Sequence, residues 1–255
     1  MSKAKILLLD IETAPMLGYV WGLWDQNVGL NQLKTDWHLL SWSAKWLDDP
    51  PSKIMHMNQK NAKNIEDDSK ILKGLWKLMD EADVIIWQNG DKFDKKKINA
   101  RFLLNGMPPP SSYRTIDTLK VSKKHFALTS HKLEYMSEKL AKKFKKLKHK
   151  NYPGFELWKA VLAGDKKAWD EMKLYNDYDI LALEEVYRKI APWDNSTNLN
   201  VYGDKPTCSC GSTSFLKRGF RYTNTGKFQR YRCNKCGKET SSGVNLIKDS
   251  KKILR

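Results

Sequence analysis

The sequence predicts an α/β domain, a mixed sheet flanked by helices, followed by a small C-terminal cysteine-bearing module. Three observations predict it. Short apolar runs and helical periodicities fill the first 190 residues, strands first and strand–helix alternation after them. All four cysteines lie between Cys208 and Cys236. A polar stretch rich in Asn, Asp, Ser and Gly separates the two parts. The chain has 255 residues, 40% hydrophobic, with ten tryptophans. That suffices for one full domain and a small one, and is too apolar for a disordered chain.

Residues 4–11 read as a buried strand, a short apolar run that ends in polar residues. Residues 38–46 alternate as a second strand and 53–57 follow as a third. A helical pattern over 67–81 puts Ile71, Leu72, Leu75 and Leu78 on one face. Residues 84–87 form another buried strand. Asp94 opens a helix that Asn105-Gly106 and three prolines stop, and 113–116 form a last short strand. From 118 to 190 the pattern is helical, ending in a long helix over 166–189. The domain therefore spans 1–192, with a linker at 193–205, the cysteine module at 206–240 and a frayed basic tail at 241–255.

No stretch approaches the ~18–20 apolar residues of a membrane span. The N-terminus runs straight into the first strand with no signal-peptide pattern. These features set aside secreted, membrane-spanning and fibrous classes. Clustered thiols in such a chain indicate a metal site in a reducing cytoplasm rather than a disulfide scaffold. Lys and Arg number 46 against 29 Asp and Glu, a net +17. Residues 201–255 hold 13 basic and 3 acidic residues, so they carry +10 of it. Such a surplus favours a polyanion partner through phosphate contacts. A soluble basic surface is the plainer reading.

The acids indicate chemistry. Asp10 and Glu12 stand two apart at the end of an apolar strand, so both carboxylates share one face at the sheet edge. Oxygen ligands at that spacing suit Mg²⁺ or Mn²⁺; a solvated strand end is the alternative. Asp94 follows a buried strand at the start of a helix, where it serves as an N-cap, a ligand or both. Tyr175 and Asp179, four apart, lie on one helix face, while Asp177 is rotated by about 200° from Tyr175. An ordinary helix with a packed tyrosine would show the same pair.

Together, Leu-Leu-Leu-Asp10-Ile-Glu12-Thr13, Asn89-Gly-Asp-Lys-Phe93-Asp94-x-x-x-Ile98 and Tyr175-x-x-x-Asp179 resemble the three motifs of the DEDD exonucleases of the ribonuclease H-like superfamily. The tyrosine is that of the branch containing the proofreading domains of family B DNA polymerases. Thr115-Ile-Asp117-Thr-Leu and Ser130-His-Lys-Leu133 resemble its connecting region. The resemblance covers about residues 4–190. Residues 19–26 and 41–46 are further similar to a bacteriophage-encoded subgroup with a C-terminal zinc ribbon.

The resemblance implies a ribonuclease H-like fold and a 3′–5′ exonuclease that uses two Mg²⁺ or Mn²⁺ ions. Asp10 would bridge them, Glu12 and Asp179 would complete the nucleophile side, and Asp94 would act on the second ion. Tyr175 would orient the attacking water, since a phenol of pKa ~10 is a poor base at neutral pH. Asn89 and Phe93 match positions near the terminal nucleotide, with Thr13 in the same substrate set. Trp21 and Trp24 would stack on bases, where aromatic stacking is worth ~1–3 kcal/mol; core packing is the ordinary role of tryptophan. The implied partners are a single-stranded or frayed 3′ end, DNA before RNA, and a separate replication polymerase, with no membrane. A phage-encoded chain would work in the host cytoplasm. Competing expectations are a catalytically silent binding or docking module, and RNA trimming or structure-specific cleavage on the same core.

Cys208-x-Cys210-Gly211 and Cys233-x-x-Cys236-Gly237 resemble the knuckles of a zinc ribbon, four thiolates on one structural Zn²⁺. The first knuckle has one intervening residue where two are usual. Residues 215–217 and 228–232 read as strands around Asn224-Thr-Gly226, and Arg218, Arg221, Arg230 and Arg232 make the module a nucleic-acid grip. His38, His56, His125, His131 and His149 read as ordinary residues, and the basic run over 142–150 as either a phosphate track or a solvated face.

Overall fold

The computed structural model describes residues 4–147 and 151–248. His149, the end of the basic run and the last seven residues of the expected tail lie outside them. The chain divides into two compact units that part between Tyr187 and Arg188.

The first unit is a five-stranded mixed sheet flanked by helices. Its elements are β1 (Ile6–Thr13), the short pair β2 (Leu17–Gly18) and β3 (Leu33–Thr35), β4 (Leu39–Trp46), β5 (Met55–Asn58), α1 (Ser69–Glu81), β6 (Val84–Trp87), α2 (Asp94–Leu104), β7 (Arg114–Asp117), α3 (Thr118–His125), α4 (Leu133–Leu140), α5 (Glu156–Leu162) and α6 (Lys166–Ile190). The sheet order is β5-β4-β1-β6-β7. β1 is central, antiparallel to β4 with Glu12 opposite Ser41, and parallel to β6 with Leu7 opposite Ile85. A strand buried on both faces needs a continuous apolar run, which Ile6–Leu9 supplies. On one face Leu7, Leu9 and Ile11 pack with Ile71, Leu75, Ile98 and Phe102 of α1 and α2. The period of two sends Asp10 and Glu12 to the other face.

On that second face, β4 fastens α6. Ser41 Oγ donates to Asn176 Oδ1 at 3.3 Å, Ser43 Oγ donates to Asp177 Oδ1 at 2.6 Å, and Lys45 Nζ lies 2.6 Å from Glu184. All three β4 residues are fully buried. Period two in the strand thus meets the helix with a polar row, which fixes α6 in height and rotation against the face of β1 that carries Asp10 and Glu12. A second buried pair secures the other face: Asp68 accepts Arg101 Nε at 2.7 Å and Nη2 at 2.8 Å, and also the backbone N–H of Leu39 at 2.9 Å.

The helical pattern over 118–190 resolves into four helices, the last of them the long one expected, with Pro153 and Gly154, the left-handed Gly164 (φ +82) and the extended Phe126 and Ala141 between them. The segment over 16–30 carries large apolar side chains in solvent, with Trp21 97% and Trp24 83% exposed.

The second unit contains a three-stranded antiparallel sheet, β8 (Phe215–Thr223), β9 (Gly226–Cys233) and β10 (Glu239–Asn245), in the order β10-β9-β8. β10 extends past residue 240, where the ribbon was expected to end, and takes up the start of the expected tail. Its sequence, Glu-Thr-Ser-Ser-Gly-Val-Asn, has no apolar alternation to reveal it; register with β9 (Glu239 opposite Arg232, Thr240 opposite Tyr231) makes it a strand. Within the expected linker, 193–205, the chain forms a 3-10 turn at Leu199–Tyr202. No helix among the described residues is long and apolar enough to cross a membrane.

Candidate active site and cysteine centre

Asp10 and Glu12 project from the end of β1 and meet Asp179 from α6, and one carboxylate oxygen from each lies within 4.8 Å of the others. Asp94 is the first residue of α2, not its cap; its Oδ1 accepts the backbone N–H of Ile11 at 3.3 Å, which holds the start of α2 against β1 between the two acids. It is buried beside the converging three. Thr13 follows a register shift and pairs with Leu39 at the end of the β1–β4 ladder.

Crowding shows in the acidities. Burial, then the charges of Asp94, Asp179 and Glu12, hold the Asp10 carboxyl well above the usual range. Burial and Asp179 push Glu12 up to about 8, and burial pushes Asp94 up to about 7. Burial raises Asp179 too, against the pull of Lys146. Asp179 Oδ1 is buried with no hydrogen-bond partner. An oxygen-rich cluster that resists ionisation and keeps an unpartnered buried oxygen is the donor set a hard divalent cation satisfies. Asp10, Glu12 and Asp179 fit that role.

Three residues that sequence reasoning did not place are part of this site. Asn176 Nδ2 donates to Asp10 Oδ2 at 2.6 Å. Lys146, from the basic run, ion-pairs with Asp179 and sits 4.1 Å from the centroid of the Tyr175 ring. The run is turned inward because the backbone N–H groups of Lys142, Lys143 and Phe144 donate to the Glu185 carboxylate at 2.7, 3.1 and 2.8 Å. Despite burial, Asp179 and Tyr175 hold the Lys146 ammonium well above its usual range. Asp117, quoted for its motif, accepts the backbone N–H groups of Asn89 (2.9 Å) and Leu119 (3.0 Å), so it caps α3 and anchors the loop before α2. Asn176 stands three residues before Asp179, the i,i+3 spacing that shares a helix face, and this signal was available.

The loop over 88–93 is tight. Asn89 takes a left-handed φ of 62°, and a Cβ on Gly90 would lie 2.1 Å from Trp87 Cγ, so only glycine fits there. The turn leaves Phe93 41% exposed beside Asp94. Among the described residues, no hydrogen bond or ring contact joins Trp21 or Trp24 to the acids. The described histidines are not among the converging acids: His56 Nδ1 is 2.8 Å from Ser43 Oγ and His131 Nδ1 is 2.8 Å from Ser122 Oγ, while His38 is buried.

In the second unit the four cysteine sulfurs lie within 4.8 Å of one another. Cys208 Sγ is 3.5 Å from Cys236 Sγ and Cys210 Sγ is 3.6 Å from Cys233 Sγ. Sulfurs ~2.3 Å from a tetrahedral Zn²⁺ stand roughly 3.8 Å apart, close to the separations across the two knuckles. Both knuckles end on left-handed glycines, Gly211 (φ 83) and Gly237 (φ 77). Against the effect of burial, the N–H groups of Cys236 and Lys235 bring the Cys233 thiol down to about 6.

A family model for the RNase H superfamily matches residues 42–191, a span that includes Asp94, Tyr175 and Asp179 and begins after Asp10 and Glu12. Among solved structures, the family B DNA polymerase from the hyperthermophilic archaeon Pyrobaculum calidifontis is similar over 89% of this chain, with a TM-score of 0.48 and 12% identity. The chain spans 32% of the length of that polymerase. No curated protein matches the sequence.

Proposed function

Given that the chain belongs to the RNase H superfamily, we propose that its acidic cluster hydrolyses phosphodiester bonds, releasing nucleotides one at a time from a single-stranded or frayed 3′ end of DNA. The observation that carries this reading is Asp179 Oδ1, a buried carboxylate oxygen without a partner in a cluster shared with Asp10 and Glu12. Left so, such a group costs ~1–3 kcal/mol or more. Asp10, Glu12 and Asp179, with Asp94 alongside, would hold two Mg²⁺ or Mn²⁺ ions. Bound there, the ions supply an acidified water and neutralise charge on the leaving oxygen.

This chain's own groups do the rest. The Tyr175 hydroxyl, raised in pKa by burial and Asp179, stays protonated and orients the water. Lys146 offsets the negative charge of Asp179 and lies over the neutral Tyr175 ring, and so holds both side chains in place. Phe93 presents its ring to the terminal base, with Asn89 and Thr13 near the sugar and phosphate. Trp21 and Trp24, exposed on the segment that continues from β1, supply stacking faces for the strand. In the second unit the four cysteines hold one structural Zn²⁺, and the surrounding arginines grip nucleic acid. The motifs support a phage-encoded enzyme that works beside a separate polymerase.

The test is incubation of 5′-labelled DNA and RNA with Mg²⁺ or Mn²⁺, with Asp10→Asn as control. A ladder shortening by single nucleotides from the 3′ end, on DNA before RNA and absent in the control, is expected. Internal cuts without a ladder, or turnover by the control, overturn the reading.

A further inference from the structure

The second unit contains a cavity of about 480 Å³ that the nuclease chemistry does not use. That size lies within the ~300–1,000 Å³ of small-molecule sites. Its walls come from residues 195–200, the first cysteine knuckle, and the faces of β8, β9 and β10. Lys238 builds one wall: its ammonium bonds the Asp194 carbonyl oxygen and lies 3.4 Å from that of Ala191 and 3.3 Å from Ser209 Oγ, which ties the 191–194 turn to the knuckle. Its charge is spent on those oxygens.

Two other cations line the cavity in a different state. Arg230 is braced, with Nε donating to the Arg218 carbonyl at 3.0 Å and Nη1 3.6 Å from Glu239, the one acid of the lining. Arg221 has its guanidinium carbon 4.8 Å from the centroid of the Phe228 ring and makes no hydrogen bond among the described residues. An arginine held against an aromatic ring, with its N–H fork unused, is preorganised for a phosphate. The remaining lining has a distinctive chemistry: amides at Asn195, Asn198 and Asn200, and the ring of Phe215. Amides read the hydrogen-bonding edges of unpaired bases, and an aromatic ring stacks on their faces. An acidic peptide would use the cations but would leave the amide wall and ring idle.

We infer that this cavity holds one nucleotide, its phosphate on Arg221 and Arg230 and its base against Phe215 and the asparagine wall. The inference rests on the nuclease reading, which it deepens by giving the second unit a site for a single nucleotide. The same chemistry is offered by a free nucleoside monophosphate and by one residue of a longer strand.

The test reads binding without turnover, on the full zinc-loaded chain carrying Asp10→Asn. Nucleoside 5′-monophosphates and a short single-stranded oligonucleotide are titrated by calorimetry, alone and in competition. Arg221→Gln removes the open fork; Ser241→Phe fills the cavity without changing charge. Roughly tenfold weaker binding in the first variant and loss in the second, with zinc content unchanged, are expected. Competition between the two ligands identifies a free nucleotide as a natural occupant; oligonucleotide binding alone, weakened by Arg221→Gln, identifies a strand. Unchanged affinity in Arg221→Gln, or binding of neither ligand, overturns the inference even if the acidic cluster cuts DNA. Should Ser241→Phe lose its zinc, Arg221→Gln decides.

Discussion

Asn176 Nδ2 donates a 2.6 Å hydrogen bond to Oδ2 of Asp10, joining the middle of α6 to the end of β1 across 166 positions of sequence. The amide is itself held by Ser41 Oγ at 3.3 Å, and Asn176 is fully buried. One oxygen of Asp10 is thereby fixed in place. Asn176→Ala is expected to lower kcat by about 10–100-fold with little change in KM, since one lost positioning bond misaligns the acid and not the substrate. Stability should fall by ~1–3 kcal/mol for the bonds left unmade. Steady-state kinetics alongside denaturant unfolding check both; a loss confined to stability would make Asn176 merely structural.

The raised carboxyls make a pH prediction. A carboxyl with a folded-state pKa above its unfolded value of ~4 keeps its proton in the fold after the unfolded chain has lost it. Glu12 is pushed up to about 8 and Asp94 to about 7, with Asp10 and Asp179 raised alongside. This cluster's contribution to metal-free stability is therefore full at low pH and is lost as pH rises from about 4 to about 8. Mg²⁺ or Mn²⁺ should restore it, with proton release on binding. Asp10→Asn should raise the metal-free melting temperature at pH 8 and abolish cleavage. Thermal melts from pH 5 to 8 with and without metal test this, and a wild-type melt that no divalent ion shifts at pH 8 would reject the metal assignment.

Tyr175→Phe separates positioning from ligation. The ring lies against Lys146 and keeps that contact without its hydroxyl. Cleavage should slow by roughly 10–1,000-fold, the range for one positioning group, while Mn²⁺ affinity stays as in the wild type. Wild-type turnover in this variant would reduce Tyr175 to a packing residue.

Much of this was legible because it follows simple periods. Asp10 and Glu12 share a face by the period of two, and Tyr175 and Asp179 by the helical repeat. What escaped has physical reasons. The row Ser41, Ser43, Lys45 looks like the wet side of a half-buried strand, yet all three are fully buried because α6 answers them with Asn176, Asp177 and Glu184. Polar pairing between residues so far apart in sequence, 135 positions for Ser41 and Asn176, leaves no local signal. Lys146 was hidden in a run of identical charges; only the Glu185 carboxylate, gathering three backbone N–H groups, says which lysine turns inward. β10 escaped because its register with β9, not its composition, makes it a strand.

The pair Asp68–Arg101 predicts a fold-level cost away from the chemistry. Asp68 is fully buried, and its carboxylate answers Arg101 with two bonds and the Leu39 N–H with a third. Arg101→Ala leaves that buried charge without its counter-ion, so a loss of about 3–5 kcal/mol is expected. Asp68→Asn combined with Arg101→Leu should recover part of it. Urea unfolding of the three proteins at one pH measures the coupling; additivity of the two changes would refute it.

The cysteine centre makes the last prediction. In β8 every residue but Phe215 is exposed, and the buried positions of β9 are only Gly226 and Cys233. A sheet with so little buried apolar surface cannot offset the ordering of its residues, ~1–2 kcal/mol each for the backbone. The four sulfurs at 3.5–3.6 Å across the two knuckles gather the strand ends where hydrophobic packing would otherwise do so. Zinc binding should therefore be folding energy for this sheet. Purified protein is expected to hold one zinc per chain. Its removal by a chelator should unfold the sheet while the five-stranded unit, with its own core, keeps its melting transition. Because Cys233 is already drawn down to about 6 and the other thiols must also lose protons, zinc affinity should climb steeply with pH. Amide exchange over 206–245, with and without chelator, reads this directly: full protection in the zinc-free chain would show that the sheet stands on its own packing.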